Sequence, residues 1–263
     1  MNKREELRDF TLQRYREYLV ALKGHFERSH AFQELIGVPL PSRFLALRHD
    51  VDRKPHRALA MAEVEHALGF VASYYFRVPY TFNCTIIKSI EALGHEVGYH
   101  YENLSDTDGD MNAALEDFGV KLAKLRTVAQ VSTCCMHGRP LKPFDNRDIW
   151  RDPVRHALLK DRFGILGELY LDIEYTDIAY INDTGRNWTS GRANRRDHVA
   201  SSIAASFGSG EELLTYFKVR PHHRLVFQVH PERWTDSLTG HTAQWALDSV
   251  TNMAKQAVIL VRK

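Results

Sequence analysis

Cysteine is scarce in this chain of 263 residues: Cys84, Cys134 and Cys135 are the full set, too few and too irregular for a disulfide framework or a metal-finger spacing. That usage fits a reducing compartment and a packing role for the thiols. Long apolar runs are missing as well. No stretch of 18 residues qualifies as a membrane span, and residues 1–8 lack the apolar core of a secretory signal. Cytoplasmic residence without a membrane span is the expectation. Charge of one sign is also absent, since 35 basic residues face 33 acidic ones, so nothing global draws the chain to nucleic acid or an anionic membrane. A G-x-x-x-x-G-K-[ST] phosphate loop, a G-x-S-x-G elbow and a G-x-G-x-x-G fingerprint are all lacking, which argues against nucleotide hydrolysis, serine esterase chemistry and hydride transfer.

What the chain does have is a β/α rhythm. Residues 3–29 carry Leu7, Phe10, Leu12, Tyr15, Leu19, Leu22 and Phe26 mostly three or four apart, which predicts one long amphipathic helix, either capping its own domain or binding a partner. The breaker-rich Gly37-Val38-Pro39-Leu40-Pro41 then leads into a first strand ending at Asp50 to Asp52. A helix with Pro55 in its first turn and Gly69 past its end follows. Further strands are expected at 70–78, 96–100, 131–136, 178–182 and 225–230, with helices at about 83–93, from Asp110 onward, and at about 242–261. Residues 183–210, rich in Gly, Ser, Asn and Arg, read as a long loop. Alternation of this kind implies parallel strands with the chemistry at their C-terminal ends. The expected organisation is a single α/β domain, a (β/α) barrel over 41–263 preceded by an N-terminal helix and linker over 1–40.

The strand-end segment Arg48-His49-Asp50-Val51-Asp52 carries most of the chemistry. Acids at i and i+2 of an extended chain point the same way, so two carboxylates share one volume, which a metal, a shared proton or a cation makes tolerable. The plainer alternative is that Asp52 caps the helix at Pro55 and Asp50 pairs with Arg48 or Arg53. In His95-Glu96-Val97-Gly98-Tyr99-His100 the second histidine ends a strand beside that acid pair. His95 lies roughly 16 Å away at about 3.3 Å per residue and is read as structural. Glu102, two residues on, is a second contributor or a solvated loop acid. His137 follows another apolar strand and precedes Gly138, and His230 ends the run Leu225-Val226-Phe227 ahead of Pro231, where a strand-end imidazole suits a general acid. His222 and His223 begin that strand, at the far end from the others. Asn182-Asp183-Thr184-Gly185-Arg186-Asn187-Trp188 offers an acid, a turn and an aromatic, and Trp188, Tyr99, Tyr101 and Trp234 can be read as a sugar-stacking wall or as ordinary core.

Five of these segments, in order from residue 44 to residue 234, resemble the polysaccharide deacetylase family, the NodB-homology group of carbohydrate esterases. The resemblance implies a distorted, seven-stranded β/α barrel, Zn2+ or another divalent metal, Asp50 as catalytic base, Asp52 and His100 as metal ligands and His230 as acid. It also implies substrate-side roles for His137, Arg139, Asp183 and Trp188, and an acyl pocket shaped by Phe227. The chain departs from the family at Leu104, where a second ligand histidine is usual, so Glu102 is the expected third ligand with His137 in reserve. It departs again where the family has an arginine that orients the base: His137 stands at about that place and Arg139 two residues further. The expected function is a metal-dependent hydrolase that removes an N-acyl group, acetyl above all, from an amino sugar or precursor in surface polysaccharide assembly of the O-antigen or capsule type. Two other readings stay open: a deacetylase-like carbohydrate-binding scaffold without turnover, and a glycosidase using Asp50 and Glu102 as its acid pair.

Overall fold

The computed structural model describes residues 9–139, 141–186, 188 and 199–247. Helix α1 (Leu12–Lys23) is capped by Thr11, whose side chain accepts from the Arg14 amide. It covers part of the expected 3–29 stretch, of which residues 1–8 lie outside the described residues. Strand β1 (Phe44–Val51), helix α2 (Pro55–Ala67), strand β2 (Ser73–Phe76), helix α3 (Cys84–Ala92) and strand β3 (Glu96–Tyr101) then alternate as expected. The joints after α2 and α3 share one device, a glycine with positive φ, Gly69 and Gly94, that turns each helix into the next strand. Short helix α4 (Asn103–Asp106) and helix α5 (Met111–Arg126), capped by Asp110, lead to β4 (Thr133–Met136). Helix α6 (Pro153–Phe163), strands β5 (Gly167–Glu168) and β6 (Ala179–Asn182), helix α7 (Gly210–Val219) and strand β7 (Arg224–Val229) follow. Residues 238–247 are helical, and the rest of the expected terminal helix lies outside the described residues, as do 187 and 189–198 of the long loop.

The seven strands form one parallel sheet in the order β5-β4-β3-β2-β1-β7-β6. The sheet is a curled, distorted β/α barrel, because side chains from across it meet on its inner face: Phe44 and Ala46 of β1, Tyr75 of β2, Cys135 of β4, Tyr180 of β6 and Val226 of β7 form one apolar cluster. The 3-10 turn Phe32–Glu34 closes the bottom of that interior with Phe32, joined by Leu35 and Ile36. The alternate residues Leu45, Leu47, Tyr74, Phe76, Val97, Tyr99, Tyr101, Leu225 and Phe227 face outward into a larger core shared with the helices. Both faces of each strand are therefore buried, which is why β1 reads as a continuous apolar run until its last four residues.

One polar cluster lies in the outer core. The Glu65 carboxylate, fully buried on α2, accepts from the Tyr15 hydroxyl of α1, from Tyr74 at 2.6 Å and from His49 Nε2 at 2.5 Å. Burial opposes its charge, yet His49 holds its carboxyl below the usual range. His95 is structural, as expected: its Nδ1 accepts from the Ala72 amide and its Nε2 lies 3.0 Å from the Ala62 carbonyl.

Inside the barrel Tyr75 stands directly opposite Gly98 in the β2–β3 register, and a methyl on Gly98 would overlap the Tyr75 ring. Gly98→Ala should therefore cost about 1–3 kcal/mol, read from urea unfolding. That loss should shrink in the Tyr75→Leu background; additive losses would show that the ring and the glycine do not compete for the same space.

Candidate metal centre

The inward parity of each strand runs on into the loop beyond it. Counting by two from Ala46 gives Arg48, Asp50 and Asp52; from Gly98, His100 and Glu102; from Cys135, His137; from Val226, Gln228 and His230. The His137 amide donates to the Tyr101 carbonyl at 2.7 Å, one step past the β3–β4 ladder, so its side chain projects into the same mouth.

Asp52, His100 and His137 converge there, with one ligand atom of each within 4.8 Å of the others. Asp52 Oδ1 is 3.4 Å from His100 Nε2 and 3.4 Å from His137 Nε2. Bonds of about 2.0–2.1 Å to zinc set a tetrahedral ligand-to-ligand edge of about 3.4 Å. Each imidazole is held by its other nitrogen: His100 Nδ1 lies 2.9 Å from the Cys135 carbonyl and His137 Nδ1 lies 2.8 Å from Glu102. A ring that donates its Nδ1 proton to such a partner presents an Nε2 lone pair to a metal. Asp52 Oδ1 is buried and accepts no hydrogen bond. A divalent cation fits this donor set. Without one, protons do the balancing: burial works against a charged His137, but Asp52 and the bond to Glu102 push it up to about 9. Desolvation likewise opposes the Asp52 charge, and His137 and His100 still hold its carboxyl well below the carboxylate range.

Glu102, the expected third ligand, is not among the three converging donor groups; His137, the reserve, is. Glu102 Oε1 accepts from Arg77 at 2.9 and 2.6 Å and its Oε2 from His137 at 2.8 Å, with Arg139 Nε 3.3 Å away. Burial raises its pKa, but the His137 bond and Arg77 bring it down to about 2. Glu102 therefore orients His137, and His137 stands in the triad. Leu104 is buried in the outer core.

Asp50 lies beside the triad, its Oδ2 3.7 Å from His100 Nε2. Arg48, fully buried, donates to both of its oxygens at 2.8 Å, and Gln228 adds a third bond at 3.2 Å. Asp50, His100 and Cys135 also lie close enough to share an ion, but Arg48 already contacts Asp50 and the Cys135 sulfur, and a second cation there meets like charge. His230 Nδ1 donates to Asp183 Oδ1 at 2.6 Å. Burial and Arg233 oppose a charged His230, but Asp183 lifts it to about 9.

Several expected substrate contacts lie elsewhere. Asp183 is fully buried and spends its oxygens on His230, Arg233 and the Trp234 indole, so it positions His230 and does not meet substrate. Phe227 has outward parity and packs on Tyr15, Tyr18 and Phe217, which leaves no acyl pocket at its ring. Trp188 stacks on Phe10, and Tyr99, Tyr101 and Trp234 are equally buried, so the aromatic wall is core. Arg139 remains partly exposed at the mouth, 3.2 Å from Asp106.

Sequence reasoning assigned no site role to Arg77, Gln228 or Glu232. The first two share the inward parity and were legible by it. Glu232 gave no such signal: it is fully buried, neither oxygen accepts a hydrogen bond, and Arg53 is 3.7 Å away. Burial and the nearby Asp52 push it up to about 7.

No family model and no curated protein matches the chain. Among solved structures it is similar to a CE4 family pseudoenzyme from Bacillus anthracis, at 14% identity and a TM-score of 0.44 over 81% of this chain and 61% of that one. A mutant of a CE4 family pseudoenzyme with restored enzymatic activity gives 13% identity and a TM-score of 0.41 over 82% of this chain and 64% of the other. The Xyl-CE4 domain of a multidomain xylanase from the hindgut metagenome of Trinervitermes trinervoides gives 10% identity and a TM-score of 0.40, over 82% of this chain and 85% of that one. The chain thus spans about three fifths of the first of these structures.

A cation and a proton compete for His137 Nε2. Because that proton is held up to about pH 9, zinc uptake at pH 8 should release about one proton, read from the buffer dependence of the binding enthalpy. Apparent affinity should fall as pH drops below 9. Glu102→Gln, which removes a charge that favours protonated His137, should reduce the release; an unchanged release would remove His137 from the ligand set.

Proposed function

We propose that this chain is a metal-dependent hydrolase that removes an N-acyl group, acetyl above all, from an amino sugar, acting in the cytoplasm on a precursor of surface polysaccharide. The observation that carries the reading is the orphaned Asp52 oxygen facing two imidazoles at 3.4 Å, flanked by a clamped carboxylate and a proton-bearing histidine. Among the described residues no helix is long and apolar enough to cross a membrane.

Asp52, His100 and His137 would hold the ion. When bound, a divalent cation supplies Lewis acidity, polarising an acyl carbonyl and making a water more acidic. Asp50 takes the proton from that water. Arg48 fixes both oxygens of the base, so the acceptor is set in place before substrate arrives. On the other flank His230, kept charged by Asp183, donates a proton to the departing nitrogen and leaves a free amine. Gln228 spans the two, with its Nε2 3.2 Å from Asp50 and 3.4 Å from His230 Nδ1. Tyr80, exposed and carrying the Arg77 guanidinium over its ring at 4.5 Å, offers an apolar face for a sugar.

N-acetylated amino sugars, free or nucleotide-linked, should release acetate and gain a primary amine in the presence of zinc. Chelation should abolish the reaction, and Asp50→Asn should lower turnover by about 10²–10⁴-fold with the fold intact. An Asp50→Asn protein with undiminished turnover would falsify the assigned base. Cleavage of a glycosidic bond that survives chelation would point to the glycosidase instead.

A further inference from the structure

At the opposite end of the barrel from the Asp52 centre, Asp177 precedes β6 while His222 and His223 precede β7. Those strands are parallel neighbours, with Ala179 paired to Leu225, so the segments leading into them lie side by side. Asp177 Oδ1 is 3.5 Å from His222 Nε2, and Asp177 Oδ2 is 3.3 Å from His223 Nε2. The donor atoms of all three residues fall within 4.8 Å of one another. Both separations are close to the edge of about 3.4 Å expected for a tetrahedral ion, though each imidazole here faces a different oxygen of Asp177, whereas one oxygen of Asp52 faces both imidazoles in the upper centre.

The imidazole on the inner side is also held by its far nitrogen. His222 Nδ1 lies 3.0 Å from the Arg224 carbonyl and 3.3 Å from the Arg224 amide. The amide contact is one in which Nδ1 accepts; in the tautomer whose Nδ1 donates to the nearer carbonyl instead, the Nε2 lone pair faces Asp177, the support that metal-bound histidines characteristically have. The His222 and His223 rings lie 4.2 Å apart between centroids, tilted by 34°, so the two imidazoles are immediate neighbours beside the carboxylate. The side chains of Asp177 and His223 are about half exposed, which leaves the approach open.

We propose that Asp177, His222 and His223 form a second metal site, selective for an imidazole-loving late transition ion such as zinc over magnesium or calcium. Two neutral imidazoles and one carboxylate suit a borderline ion, whereas hard cations require more oxygen donors than this cluster offers. An ion there would staple β6, an edge strand of the sheet, to β7. Arg224 is the competitor: its Nη1 lies 3.3 Å from Asp177 Oδ2 and must yield when the cation arrives. The upper centre should accordingly be the tighter of the two. This proposal does not depend on the hydrolase reading.

The test is zinc stoichiometry on the tag-free chain, by equilibrium dialysis at micromolar free zinc. The wild type should hold two ions, and either His222→Ala/His223→Ala or His100→Ala/His137→Ala should hold one. In the latter background Asp177→Asn should weaken the remaining site by about tenfold or more, and zinc should still raise the melting temperature until the lower histidines are removed. Two ions retained by the His222→Ala/His223→Ala protein, or none held by the His100→Ala/His137→Ala protein, would overturn the proposal. A wild type that holds one ion, lost only with His222 and His223, would support this site and sink the upper centre instead.

Discussion

Asp50, Asp52 and Glu102 crowd the mouth of one barrel, and each must find positive charge or give up its own. The interior solves this three ways. Arg48 clamps Asp50 from within the same strand, and Arg77 of the neighbouring segment clamps Glu102. Asp52 alone has no permanent cation and faces two imidazoles whose charge depends on protons. That asymmetry makes Asp52 the carboxylate of the three with room for a cation, and it is the basis of the proposed metal-dependent reading.

The guanidinium that meets Asp50 does not come from the segment around His137, where the resemblance implies an arginine; it comes from Arg48, two residues upstream on β1, which inward parity carries to the same mouth. Parity of two is the rule that makes much of this site legible without coordinates: Asp50, Asp52, His100 and His230 follow from strand ends and alternation alone. The joints at Gly69 and Gly94 and most of the strand positions were legible in the same way, because a buried parallel strand leaves an apolar run between breakers.

What was illegible involved competition between neighbours. Glu102 and His137 are both inward-facing and adjacent across β3 and β4, so nothing in their spacing says which one binds an ion and which one supports it. Arg77, the residue that follows β2, makes the difference by occupying one oxygen of Glu102. The aromatic wall and the acyl pocket at Phe227 are core for the opposite reason: Tyr99 and Tyr101 of the wall, and Phe227, have outward parity, and their rings serve the helix-facing core. Helix α6 and the two-residue strand β5 were missed because short, polar-flanked elements leave little periodicity to read.

The Glu65 cluster anchors helix α1 in the core. Tyr15 reaches from α1 to a carboxylate lodged behind β1, where His49, between Arg48 and Asp50 in the strand, and Tyr74 are its other partners. A chain shortened past α1 would leave that anion with one donor fewer in a water-poor setting, and the disturbance would reach the reverse side of the very strand that carries Asp50. The amino-end helix is thus tied, through a single phenol, to the placement of the carboxylates at the barrel mouth.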